Sequence, residues 1–283
     1  MNRFTLRRLT WLDSRANELE EAGQRDEALE LREKHCQELA RRLGPGHPAH
    51  LEGLQRLAKC HSNAGRTADA ENVYRLAIDH FEIKAAGASL DTEYAGLGAQ
   101  VLNDLAVLLC SQQRPQDAQP LLGRALELSA RYLPTATPAL PRVHSNLGNT
   151  LLALHQYEAA RDQYEQALSL LERRPPSADL VHCLTDLTEC LIELEDPDSL
   201  AALDRATNQA HRTLTNEASE LAQILIRLAS LAERAQHHAL AIDLLEEAAE
   251  IVSGHPEHAN LLVHCLKLLS FLQKPRLRIS RPL

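Results

Sequence analysis

Aromatic and β-branched residues are scarce in this sequence: Phe, Tyr and Trp make up 3% of its 283 residues, and Val with Ile about one in twenty. The first shortage leaves too few flat side chains for base-stacking platforms or an aromatic-walled cofactor pocket. The second argues against pleated sheet, which favours β-branched side chains. Basic residues are not massed anywhere, and the formal net charge is −9. Nucleic-acid affinity rests on clustered Lys and Arg, so DNA and RNA are not expected ligands. No run approaches the eighteen or so unbroken apolar residues of a membrane span, and Arg3, Arg7 and Arg8 precede no apolar leader segment. A cytoplasmic protein with no membrane partner is expected.

Chemical motifs are missing as well. The six cysteines, Cys36, Cys60, Cys110, Cys183, Cys190 and Cys265, show no C-x-x-C spacing and read as reduced, buried thiols. There is no glycine-rich phosphate loop, no H-E-x-x-H and no G-x-S-x-G. His182, Asp186 and Glu189 share one helical face, as metal ligands can, but such a triplet is more commonly a solvated face. Four His-Cys neighbours point about 100° apart on a helix and cannot share an ion unaided. No catalytic residue, cofactor or metal is therefore assigned, and the chain is not expected to be an enzyme.

What is present is Leu and Ala, about a third of all residues, in a phased pattern. Small residues stand at Ala16, Ala58, Ala106, Gly148, Thr188, Ala229 and Ser270, at intervals of 42, 48, 42, 40, 41 and 41. Twelve residues after the first six of these come Ala28, Ala70, Ala118, Ala160, Leu200 and Ala241. Two antiparallel helices can approach to about 8 Å only where the facing side chains are small, so these positions mark helix-pair contacts. Gly23, Gly65 and Pro115 lie at the turns within pairs, while Gly44-Pro45-Gly46-His47-Pro48, Pro134 to Pro138, Pro175-Pro176 and Gly254-His255-Pro256 break helices between pairs. The long interval of 48 predicts a longer loop or an extended helix end between Ala85 and Gly98. The pattern gives about six helix pairs plus a last helix over residues 1–273, followed by a mobile basic tail at 274–283.

At Leu54, Leu57-Ala58, Gly65, Ala70, Tyr74 and Ala77, and again at Leu147-Gly148, Tyr157, Ala160, Tyr164 and Ala167, the unit resembles the tetratricopeptide repeat. The period and the Leu43-Gly44-x-x-His47-Pro48 linker are similar to the kinesin light chain subtype. The fifth unit departs from the pattern, with Leu200 in place of Ala and Asp204 in place of an aromatic. The resemblance implies an all-α, right-handed superhelical α-solenoid of antiparallel helix pairs, whose first-type helices line a groove that holds an extended peptide or a partner helix. Stacked pairs that touch only their neighbours produce such a surface instead of one enclosed cavity.

In that register the polar groove face includes Arg56, Lys59, Asn103, Asp104, Arg142, Asn146, Asn149, Asp186 and Arg227. Amides can pair with the backbone of an extended peptide, and Arg56, Lys59 and Arg142 would favour an acidic ligand. The chaperone-carboxylate clamp of some tetratricopeptide proteins is not matched: only Asn17 fits, while Asp13, Arg56, Gln100 and Asp104 occupy the other places. The expected function is a scaffold or adaptor for another protein. The alternative is a regulatory subunit that senses a small ligand or peptide and controls a separate enzyme. The last helix, with Leu261, Leu262, Leu266, Leu268, Leu269 and Leu272, has more apolar residues than one buried stripe uses. A second copy of the chain, or another protein, is expected there.

Overall fold

The computed structural model describes residues 3–87, 90–134, 137 and 139–273, with the backbone alone for 3–5, 87 and 256. The expected tail at 274–283 lies outside the described residues, as does part of the Pro134–Pro138 linker. Every regular element among the described residues is a helix. Two compact units are present, Met1–Leu154 and His155–Leu283.

The first unit contains α1 (Arg3–Glu21), α2 (Arg25–Leu43), α3 (Pro48–Asn63), α4 (Thr67–Gly87), α5 (Thr92–Ser111), α6 (Pro115–Tyr132) and α7 (Ala139–Ala153). Each packs on its neighbours in sequence, and α3 on α5 and α5 on α7 as well. The second unit contains α8 (Tyr157–Leu171), α9 (Ala178–Glu193), α10 (Ser199–Thr213), α11 (Ala218–Arg234), α12 (His238–Ser253), a single 3₁₀ turn at Pro256–His258, and α13 (Ala259–Leu272). Here too neighbours pack in order, with α9 against α11 and α11 against α13. This is the helix-repeat pattern expected from the spacing of small residues.

Local chemistry sets the helix starts. Pro48 and Pro115 fill first-turn positions where a missing N–H costs nothing, and the Asp91 carboxylate accepts from the Tyr94 N–H at 2.7 Å. In α2, Asp26 and Glu27 sit in the first turn and Arg41 and Arg42 in the last, which suits the helix dipole. The small positions Ala16, Ala58, Ala106, Gly148, Thr188 and Ala229 are all buried, as are Ala28, Ala70, Ala118, Ala160 and Ala241. Two members of the series depart from this. Ser270 is exposed, because no second-type helix follows α13 among the described residues to cover it. Leu200 is also exposed: α10 begins at Ser199, eleven residues after Thr188 where the other second-type helices begin nine after their small residue, and it buries Leu203, Ala206 and Ala210 instead. The Asp196 carboxylate, which accepts from the Asp198 N–H at 2.9 Å, tightens that turn.

The hairpin turns follow a stricter rule than the glycines alone suggest. Seven residues after each buried small position the backbone turns left-handed, at Gly23, Gly65, Gln113, His155, Glu195 and Gln236, with φ between 52° and 76°. At five of these turns the next N–H bonds back to the carbonyl five residues earlier, as in Arg114 to Leu109 and Asp196 to Leu191, both at 2.9 Å. Only glycine adopts this conformation freely. Glu195→Gly is therefore expected to raise the unfolding free energy by about 1 kcal/mol in urea titration, because the exposed Glu195 side chain makes no contact that offsets its strain.

The long interval is absorbed by helix, not loop. α4 runs to Gly87 and α5 starts fourteen residues before Ala106, a full turn earlier than α3 starts before Ala58. Phe81 and Tyr94 stack across this extension at 5.3 Å between ring centroids, both fully buried. α5 is long and apolar enough to cross a membrane by composition, but 61% of its most apolar window is buried inside the fold. All six cysteines are unpaired, and burial pushes the Cys36 thiol up to about 12 and those of Cys60 and Cys190 up to about 11. Five of the six, all but Cys110, are buried among the packed helices.

Candidate functional site

In the first unit α3, α5 and α7 bring five of the sequence-predicted residues to one pocket of about 480 Å³: Lys59, Asn103, Asp104, Arg142 and Asn146. Tyr74 of α4 closes its side, and a smaller cleft on the same helices adds Gln55 and Gln100. Much of the polar face is paired with itself. Lys59 Nζ lies 2.9 Å from Asp104 Oδ2, to which Gln55 Nε2 also donates at 2.5 Å. Asn146 Nδ2 donates to Asn103 Oδ1 at 2.7 Å, with Asn103 buried. These bonds form rungs from one first-type helix to the next. Arg142 differs: it is exposed and has no carboxylate partner among the described residues. Asn149 is exposed one turn beyond Ser145, on α7.

The other predicted residues stand elsewhere. Arg56 is held by Asp13, at 2.7 and 2.8 Å, and by Glu52 at 2.6 Å, so it ties α3 to α1 and offers no free cation to an acidic ligand. In the second unit, Arg227 of α11 bonds Asp186 at 2.7 Å and Glu189 at 2.8 Å, both on α9. His182 of the same α9 face turns instead to Glu220, 3.0 Å away. Within the helical triplet, Asp186 and Glu189 thus share Arg227 while His182 turns to Glu220.

A residue not singled out in the sequence carries more of the electrostatics. Arg32, on α2, is 2% exposed and donates to Asp13 at 2.5 Å, to Glu20 at 2.8 Å and to Asn17. Its placement on a second-type helix, away from the groove face, gave no sequence signal. Burial raises the Asp13 carboxyl, but the hydrogen bonds and charges of Arg56 and Arg32 outweigh it and hold Asp13 below its usual value. His35 beside it, 4.0 Å from Asp13, has an Nδ1 without a hydrogen-bond partner. Burial, with help from Arg32 and Arg56 and against Asp13, holds His35 below the ordinary imidazole value. The unfolded chain therefore takes up a proton near pH 6.5 that the folded one refuses, so stability falls as pH drops through that value. Urea midpoints should decline from pH 7.5 to 5.5, and His35→Gln should flatten the decline.

Residues 99–173, which include α5, α6 and α7 with their polar rungs, match the family model described as tetratricopeptide repeat. Solved structures extend the same fold over most of the chain. A Podosopora anserina protein with nearly identical TPR-like repeats, named for kinesin light chain, superposes with TM-score 0.61 at 18% identity, over 75% of this chain and 98% of that one. BtubC (BKLC) from P. vanneervenii gives 0.61 at 20% identity over 89% and 92%. A Rap protein solved in complex with Competence and Sporulation Factor gives 0.58 at 17% identity over 94% and 75%. No curated protein matches the chain by sequence. The all-α helical-repeat solenoid fold expected from the sequence is what these comparisons show.

Proposed function

We propose that the chain is a non-enzymatic adaptor that holds a segment of another protein against the α3, α5 and α7 face of its first unit. The observation that carries this reading is Arg142. It is an exposed guanidinium, without a carboxylate partner among the described residues, at a concave pocket where Lys59 is paired with Asp104 and Asn146 with Asn103. Rungs that are complete on their own leave the pocket preorganised, and a fork of free N–H donors there suits a carboxylate or a backbone carbonyl of a partner. The Asn103–Asn146 pair, with remaining amide capacity, can meet the backbone of an extended segment. Tetratricopeptide-like repeats commonly serve protein–protein contacts, and one fold neighbour was solved with a bound factor. Six unpaired cysteines support placing the adaptor in a reducing compartment such as the cytoplasm.

Arg142→Glu tests the reading. It reverses the pocket's free charge without breaking an intramolecular ion pair, so the far-UV circular dichroism and the melting temperature should stay as in the wild type. Co-purified partners should fall by roughly tenfold or more. Undiminished recovery of every partner would contradict it.

A further inference from the structure

The first hairpin, α1 with α2, separates its charge along its length. At one end, residues 6–12 and 36–44 carry Arg7, Arg8, Arg41 and Arg42 against a single carboxylate, Glu38. At the other end, residues 18–30 carry six carboxylates against Arg25 alone. A tight turn at Gly23 joins the two helices, so the start of α1 and the finish of α2 lie at the same end of the hairpin. In a chain of net charge −9, that end is a concentrated positive patch.

Helix electrostatics do not account for it. Arg41 and Arg42 in the last turn of α2 suit its dipole, but α1 runs the other way, with no acidic residue in its first turn, Arg7 and Arg8 after it, and Glu18 and Glu21 at its end. Nor do ion pairs absorb the charge. Arg7 and Arg8 are exposed and have no carboxylate partner among the described residues. Arg41 and Arg42 share Glu38, at 2.9 Å from each, so one positive charge remains there.

Apolar side chains project from the same stretch. Trp11, the only Trp in the sequence, is 59% exposed, and Leu6 is exposed to a similar degree. Arg7 and Arg8 stand four and three residues before Trp11, one helical turn away, while Leu9, Leu12 and Ala16 are buried on the inner side. The outer side of α1 thus combines an indole with unneutralised guanidiniums on the convex surface of a single helix.

We infer that this end of the first unit docks on an anionic lipid bilayer, with Trp11 and Leu6 entering the interfacial layer while Arg7, Arg8, Arg41 and Arg42 meet the lipid headgroups. Indole is well suited to that layer, and basic residues beside it supply the electrostatic attraction. A convex face offers no cleft in which to select a peptide side chain, but a bilayer needs only apolar tips among positive charges. The acidic far end of the hairpin is repelled, which turns the basic end toward the lipid. The expectation of no membrane partner rested on the lack of a span and of a leader segment, and a peripheral contact needs neither. This surface is separate from the α3, α5 and α7 face and does not rest on the function proposed for it.

The test uses the full chain with vesicles of phosphatidylcholine alone and of phosphatidylcholine with phosphatidylserine at roughly 3:1. Because Trp11 is the only Trp, its emission reports this contact alone. The emission should move to shorter wavelength on the mixed vesicles and stay unchanged on phosphatidylcholine. Co-sedimentation should show at least about tenfold tighter binding to the mixed vesicles, weakened by added salt. Arg7→Glu combined with Arg8→Glu should weaken it at least about tenfold, and Trp11→Ser at least about fivefold, with circular dichroism checking the fold. Arg142→Glu should leave it unchanged. Unshifted Trp11 emission on the mixed vesicles, or equal binding to both vesicle types, would overturn the inference. So would saturable binding of fluorescein-labelled octaglutamate, abolished by Arg7→Glu with Arg8→Glu, while the vesicles stay unbound, since an acidic protein segment would then be the occupant.

Discussion

Replacing Arg32 by methionine is expected to cost about 3 kcal/mol of unfolding free energy. The guanidinium is almost completely buried and holds Asp13, Glu20 and Asn17 of α1 against α2. Methionine keeps much of the stem volume but leaves two carboxylates facing each other without their cation. Asp13 retains Arg56, at 2.7 Å, so part of its charge stays compensated, and both carboxylates keep some contact with water. These two facts keep the expected loss at the lower end of the range for a broken buried pair. Adding Glu20→Gln to Arg32→Met should recover about 1 kcal/mol, because the carboxylate that depended on Arg32 alone is then neutral. Guanidinium titrations of the two single variants and the double variant check both numbers. Simple additivity would show that the pair is not coupled.

The second large effect is at Gly98. A Cβ built there would lie 2.3 Å from Phe81 Cε2 and 2.5 Å from its Cζ, too close for any real contact. Alanine elsewhere in a helix interior gains up to about 1 kcal/mol over glycine, so the sign of this substitution is informative. Here Phe81 is buried and stacked on Tyr94, and its ring can move only by disturbing that pair. Gly98→Ala should therefore lose about 2 kcal/mol in spite of its better helix propensity. Phe81→Leu should restore most of the loss when combined with it, although Phe81→Leu is destabilising by itself. If Gly98→Ala instead stabilises the protein, α4 and α5 do not approach as described.

The fold was legible because its main signal is side-chain size. Ala58, Ala106 and Gly148 recur where helices must come close, and no other residue class satisfies that constraint, so the period survives in the sequence without any structural knowledge. The left-handed turns at Gln113, His155, Glu195 and Gln236 were not legible, since polar residues are common at turns of any backbone angle and only Gly23 and Gly65 advertise this one. Leu200, where the sequence departs from the pattern, is where the structure departs too: α10 begins two residues later in the repeat than the other second-type helices, after the Asp196 turn, and its buried stripe falls on Leu203 and Ala206.

The candidate site was legible only in part. Helical phase identified Lys59, Asn103, Asp104, Arg142 and Asn146 as residues of one face, and the pocket brings them together. What phase cannot show is who pairs with whom across a repeat. Arg56 and Lys59 read as free cations, yet Asp13 and Asp104 on neighbouring helices meet them at 2.7 and 2.9 Å. Such partners are more than forty residues away in sequence, and their geometry depends on how α1, α3 and α5 are staggered. The apolar excess of α13 was visible from composition, whereas the pocket it forms with α11 depends on the loss of a polar rung that only the three-dimensional register reveals.

A photocrosslinking amino acid placed at position 142, in cells that express the chain, tests the adaptor reading most directly, with the same probe at the exposed Asn72 of α4 as the reference. A discrete partner protein crosslinked from position 142 and not from position 72 is the predicted result. Crosslinks to that partner from position 72 alone, or equal labelling from both, would mean that the α3, α5 and α7 face is not where this protein holds its partner.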